Sequence, residues 1–209
     1  MGLNESPVRY LGAISAILAI IFFSSFTGTA IMFFPGDFSP FANYLSDLGN
    51  SGLNPTGANI FNAGAILAGA FTILFFTGLY AWRITDQWQL TLVRLLGSFA
   101  GFALILVGIF SEDYGILHTI SAATFFLALI ISILAMDFVL RKHRKFFRQV
   151  GYYGVLVGLC GSIYLVSYMI DRDIIIAEWI TVAGALLWMG LLAYNTIKIT
   201  GNEADTTKR

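Results

Sequence analysis

Residues 111–148 read SEDYGILHTISAATFFLALIISILAMDFVLRKHRKFFR, and the fold is decided there. An acidic pair, Glu112 and Asp113, opens the stretch, and Arg141, Lys142, Arg144, Lys145 and Arg148 close it. Between them residues 116–138 are predominantly apolar, with His118 near the acidic end and Asp137 at the basic end. A helix of about 20 such residues crosses a hydrocarbon layer of about 30 Å. The stretch therefore reads as a membrane span with an acidic and a basic end.

Working outward, five more apolar runs have the same length: 11–33, 58–82, 91–110, 149–170 and 175–197. With 57% hydrophobic and 11% charged residues in 209, the chain carries more apolar surface than a water-soluble core of that size can hide. The expected architecture is an all-α integral membrane protein, a six-transmembrane-helix bundle forming one membrane domain over residues 1–209, with a polar cytoplasmic tail at 199–209. The first run is too long for the apolar core of a signal peptide and no small-residue cleavage pattern follows it, so it is expected to remain as the first span. The single Cys160 falls inside a span, which excludes a disulfide framework.

Charge is sorted between the two ends of these runs. Arg9, Arg83, Arg94, the five basic residues of 141–148, Lys198, Lys208 and Arg209 fall at one end. Asp37, Asp47, Glu112, Asp113, Asp171, Asp173 and Glu178 fall at the other, with Arg172 the only basic residue among them. Positive residues in short loops stay cytoplasmic. Both termini and the basic loop are thus expected inside a cell membrane. Topology accounts for that loop, although basic residues near a membrane also attract anionic lipid headgroups at about 1 kcal/mol each. Asp137 precedes Arg141 by four residues, as Glu5 precedes Arg9, a spacing that favours pairing on a helix surface.

Glycines recur at three- and four-residue steps, Gly151, Gly154, Gly158 and Gly161 in the fifth run and Gly97, Gly101 and Gly108 in the third. Such rows let helix backbones approach in lipid, and they place both runs against close neighbours. Trp82, Trp88 and Trp179 lie near span ends, where interfacial anchoring is expected. No Lys lies mid-span to carry retinal, and His118 and His143 sit on opposite sides, which tells against haem. No basic groove or motif points to nucleic acid.

The connection at 34–57 carries the densest polar pattern. On a helical wheel from Ser39 to Asn50, Phe41, Tyr44, Leu45 and Leu48 share one side, while Asn43, Ser46, Asp47 and Asn50 share the other. With Ser39-Pro40 as a start and Gly49 as a stop, this predicts a short amphipathic outer helix between the first two spans. Asn54-Pro55-Thr56 reads as the start signal of the second span, which carries Asn59 and Asn62 near the same end. Asp113 stands five residues before His118 and Asp173 five before Glu178, which puts His118 and Glu178 at similar depth and hints at a duplicated hairpin.

An ionisable group inside a span is a functional-site hypothesis by default, and imidazole titrates near neutral pH. His118 is the leading candidate. Around it Asn43, Ser46, Asp47, Asn59, Asn62, Glu112 and Asp113 form a candidate ligand-binding set for a polar small molecule or a lipid headgroup. The same region holds the residue types of a hydrolase or transferase acting on a lipid-linked substrate, with Ser46 as nucleophile, His118 as base and Asp113 as orienter. Alternatively, His118, Glu178 and Asp47 offer one nitrogen and two oxygens to a divalent metal. A third class is a structural or regulatory membrane protein whose polar face stabilises the loop. For Glu178 the simpler account is an acidic group complementing a helix N-terminus.

Asn43-Tyr44-Leu45-Ser46-Asp47-Leu48-Gly49 after the first span, Asn59 and Phe61 opening the second, the acidic pair before the fourth and His118 early in it resemble the membrane family catalogued as domain of unknown function 998. That family in turn resembles, more distantly, the Frag/DRAM/Sfk-type six-span proteins, some of them associated with lipid or GPI-anchor metabolism. The family's pattern has a Phe-Pro pair before the acidic residue, where this chain has Phe110-Ser111. The resemblance implies six spans and an outer motif, and it names no reaction.

Overall fold

A computed structural model describes residues 10–82, 84–170 and 174–206. Glu5, Arg9, Arg83, Asp171, Arg172, Asp173, Lys208 and Arg209, which enter the charge argument, lie outside the described residues. Six long helices fall on the six apolar runs: α1 Leu11–Met32, α2 Ala58–Gly78, α3 Gln87–Ile109, α4 Ile116–Leu140, α5 Arg148–Met169 and α6 Ile175–Thr206. All six are long and apolar enough to cross a membrane. The last continues as helix through Thr206, beyond the point where a tail is expected.

Each helix packs against its sequence neighbour while α6 closes on α1. The result is a ring of six helices. Its centre at the basic end is filled by Phe75, Phe76, Met136, Leu140, Trp188 and Leu192, all essentially inaccessible. Ile14, Ile17, Leu156, Leu159, Ile163 and Val166 point outward and stay exposed, as lipid-facing side chains do.

Glycine sets the spacing of the ring. A Cβ on Gly69 would lie 2.6 Å from the Gly101 carbonyl oxygen and one on Gly101 would lie 2.8 Å from that of Gly69, so α2 and α3 touch backbone to backbone. The expected row on α5 faces α4, with Gly154 against Asp137, Gly158 against Leu134 and Gly161 against Ile130. Between α3 and α4 the chain reverses through Gly115, whose φ of 52° no ordinary side chain adopts without strain.

Two expectations at the basic end are corrected. Asp137 does not pair with Arg141 on a helix surface. Its side chain turns inward and accepts the Trp188 Nε1–H at 3.1 Å, while the Arg141 guanidinium lies 4.0 Å over the Phe138 ring. Spacing by four permits a pair, but Gly154 opens room for a carboxylate that the bundle's indole can bind. Nor is Trp82 an interfacial anchor: it is buried and donates to Thr196 Oγ1 at 2.9 Å. Trp88 remains exposed, as an anchor requires.

Candidate functional site

The connection from α1 to α2 crosses the acidic end of the ring, and it is not the continuous amphipathic helix expected at 39–50. A single turn follows Ser39, and a short 3-10 turn spans Ser46–Gly49. The reason lies in the intervening amides. Tyr44 N–H donates to Asp47 Oδ2 at 3.0 Å and Leu45 N–H to Glu178 Oε2 at 2.8 Å, so both leave the helical pattern for carboxylates. Asn43 Oδ1 accepts the Ser39 N–H, which closes the first turn early. The wheel's faces are also not kept, since Asp47 is buried with Leu45 and Leu48 while Phe41 is exposed.

Amides then fasten this strap to the bundle. Asn54, fully buried, donates to the carbonyls of Ala30 and Leu48 and accepts the Gly57 N–H at 3.0 Å. It thereby caps the turn leading into α2, the start signal expected at 54–56. Asn62 donates to the Gly49 carbonyl at 3.0 Å, and Trp179 Nε1–H donates to that of Asn43 at 3.0 Å. Asn59 takes no part and faces the exterior. Asn59 and Asn62 are thus separated.

Under the strap two cavities adjoin, with lining residues in common. One, of ≈ 70 Å³, lies inside the ring between Phe23, Phe61, Ala65, Leu104, Phe125 and Leu186, reaching all helices but α5. The other, of ≈ 340 Å³, lies nearer the acidic end between α4, α5 and α6, lined by Tyr44, Glu112, Thr119, Tyr164 and Tyr168. Ser46, His118, Ala122, Phe126 and Glu178 border both. His118 and Glu178 therefore do share a depth, at the junction.

His118 Nδ1 stands 2.8 Å from the Phe110 carbonyl oxygen. A carbonyl only accepts, so Nδ1 carries a proton, and Nε2 is the nitrogen left to face the cavities. The orienter of His118 is this backbone oxygen and not Asp113. Asp113 instead binds Ser51 Oγ at 2.9 Å, Ser51 N–H at 3.0 Å and Ser111 Oγ at 2.9 Å, and lies exposed on the strap's far edge. The nucleophile, base and orienter set is accordingly not assembled. Among the described residues no three His, Cys, Asp or Glu side chains are grouped to hold a metal ion, His118, Glu178 and Asp47 included, and one oxygen each of Asp47 and Glu178 accepts an N–H of the strap.

Burial holds the Asp47 carboxyl above the usual carboxylate range, against the bonds from Asn43 and Tyr44. Burial also raises Glu112, and the charges of Asp47 and Asp113 add to it, while Asn50 offers one hydrogen bond. Glu112 Oε2 is buried with no hydrogen-bond partner. For Asp113 burial opposes ionisation, but the Ser111 and Ser51 donors outweigh it and the carboxyl lies below the usual range. The site is thus rich in acceptors, with a histidine at its throat.

Sequence reasoning misses Asn54, Tyr164 and Tyr168. Asn54 is visible as a cap, but its two donations to distant carbonyls are not. The tyrosines lie late in α5 in no recognisable motif, and only the packing of α5 beside α4 brings them to the cavity.

Fold and span lengths make this chain a multi-pass helical membrane protein with six spans. It belongs to the family described as protein of unknown function (DUF998), whose model matches residues 17–195. Comparison with curated proteins and with solved structures returned no match.

Proposed function

We propose that the protein binds an amphiphile, a lipid or lipid-like molecule whose polar headgroup occupies the wider cavity beside Glu112, Ser46 and His118 and whose apolar part enters the ring. The supporting observation is the junction itself. A cavity with acidic and hydroxyl groups adjoins one walled by Phe, Leu and Ala, and Ser46, His118, Ala122, Phe126 and Glu178 belong to both linings. A small polar solute has no use for the inner chamber, and a plain hydrocarbon has none for the buried carboxylates. In this reading Asn43, Asp47 and Asn62 shape the strap above the headgroup, while Asn59 and Asp113 stand outside the contact set.

The proposal includes orientation: the acidic end faces away from the cytoplasm in a cell membrane, with both termini and the 141–148 loop inside. Its support is the sorting of basic residues into that loop.

Ala122→Trp tests the binding reading. Ala122 is half-buried on the shared border, and an indole there intrudes on both cavities. Native mass spectrometry of the purified wild-type protein should show saturable one-to-one adducts with single-chain amphiphiles, and the variant should lose them by about tenfold or more in affinity, a change of about 1.4 kcal/mol. Equal adduct formation by both proteins, or none by the wild type, overturns the reading.

A further inference from the structure

We infer that the wider cavity selects a cationic, ammonium-type headgroup, an inference that rests on the amphiphile reading above. The walls carry four aromatic rings, Tyr44, Phe126, Tyr164 and Tyr168, together with the carboxylates of Glu112 and Glu178, and no described lining residue is Lys or Arg. Two of those rings, Phe126 and Tyr164, meet edge to face at 4.7 Å, and Tyr164 and Tyr168 follow at 6.2 Å along one wall between α4 and α5. Aromatic faces attract a cation within about 6 Å, more strongly once water is excluded. Ring walls with acids between them are the arrangement that recognises alkylated ammonium.

The inference stands on the cavity and on a buried carboxyl group in its wall. Glu112 Oε2 is buried and has no hydrogen-bond partner among the described residues. A buried carboxylate oxygen without a donor is costly, and a cation beside it removes the cost. The groups facing Glu112 are Asp47 and Asn50 from the strap, Asp113 on its own turn, His118 from α4 and Glu178 from α6. Of these Asp47 and Asp113 add negative charge that pushes the Glu112 carboxyl up after burial has done so, and none supplies a fixed positive charge. An anionic phosphate would meet repulsion from the same groups. A neutral sugar would leave the carboxylates uncompensated.

The test compares dodecyltrimethylammonium, dodecyl phosphate and dodecyl glucoside, equal in chain length, and free tetramethylammonium, by native mass spectrometry of the purified full chain. The ammonium amphiphile should bind at least about tenfold more tightly than the glucoside, and the phosphate should be weakest. Glu112→Gln should lower ammonium affinity about tenfold while leaving the glucoside unchanged, and Tyr168→Leu, at a partly exposed ring, should lower it about threefold without touching the strap. Phosphate or glucoside binding as tightly as ammonium overturns the inference and leaves the amphiphile reading intact. Absence of binding by every amphiphile defeats that reading, and the inference with it. Tetramethylammonium binding as tightly as its dodecyl analogue keeps the cation site but removes the amphiphile, identifying a free cation as the ligand. Variants that lose ammonium and glucoside equally overturn the charge argument.

Discussion

At Glu178 the sequence offers no more than an acidic residue near a helix start. In the structure the residue is buried, at 5% relative exposure, and its carboxylate accepts the Leu45 N–H across 133 residues of sequence. Glu178→Ala strands that N–H in the protein interior, a cost of about 1–3 kcal/mol, whereas Glu178→Gln keeps a carbonyl oxygen for it. Thermal unfolding of the purified protein should therefore rank wild type above Gln and Gln above Ala. Equal melting of Ala and wild type would show that the strap does not depend on this bond. Asp47 and Glu112, raised by burial, bind protons more tightly in the fold than in the unfolded chain. Their contribution is complete below the unfolded pKa and is lost as pH rises through the folded one. Asp113, held low by its serine donors, contributes above the unfolded pKa and loses its share as pH falls through the folded one. In the window just above the usual carboxylate range the melting temperature should fall with rising pH, and Glu112→Gln should flatten that slope. An unchanged slope in the variant would remove Glu112 from the account. None of these shifts is legible in sequence, because each depends on which carboxylate the strap covers.

Between elements, glycine rows are the feature the sequence displays best. The steps on α3 and α5 correctly mark faces that meet a neighbour, since a missing side chain is a purely local fact with a direct packing consequence. Which neighbour is met is another matter. Gly69 on α2 is the partner of Gly101, and Gly12 on α1 lies against Gly78, pairs that no single row announces. Gly69→Leu forces a side chain into the Gly101 carbonyl and should part α2 from α3, lowering stability by about 1–3 kcal/mol. Gly28→Ala has nothing within 4 Å of its new Cβ and should melt like wild type. Similar melting of both variants would deny close contact between α2 and α3. The strap shows the converse failure: Ser39–Asn50 has a helix's amphipathic spacing, yet two of its N–H groups find carboxylates that bind them better than a carbonyl four residues back. Periodicity cannot register a competitor supplied by α6.

For the whole molecule, the proposed orientation rests on charge alone. With the basic 141–148 loop inside, a membrane-impermeant thiol reagent applied to intact cells should label a cysteine placed at the exposed Ser51 and spare one placed at the exposed Arg144. The protein's own Cys160 is half-buried within α5, so a Cys160-free background keeps the comparison clean. Labelling of Arg144→Cys instead would invert the topology. The number of spans, their approximate placement and the charge asymmetry were determined by sequence, because lipid solvation and helix length act on each segment independently of its neighbours. Tertiary structure alone decided that the ring closes α6 on α1, that the strap folds inward over a two-part cavity, and that His118 is oriented by the Phe110 carbonyl and not by Asp113. Those outcomes depend on contacts between residues distant in the chain, and a hydrogen-bonding side chain takes the partner that packing brings within reach.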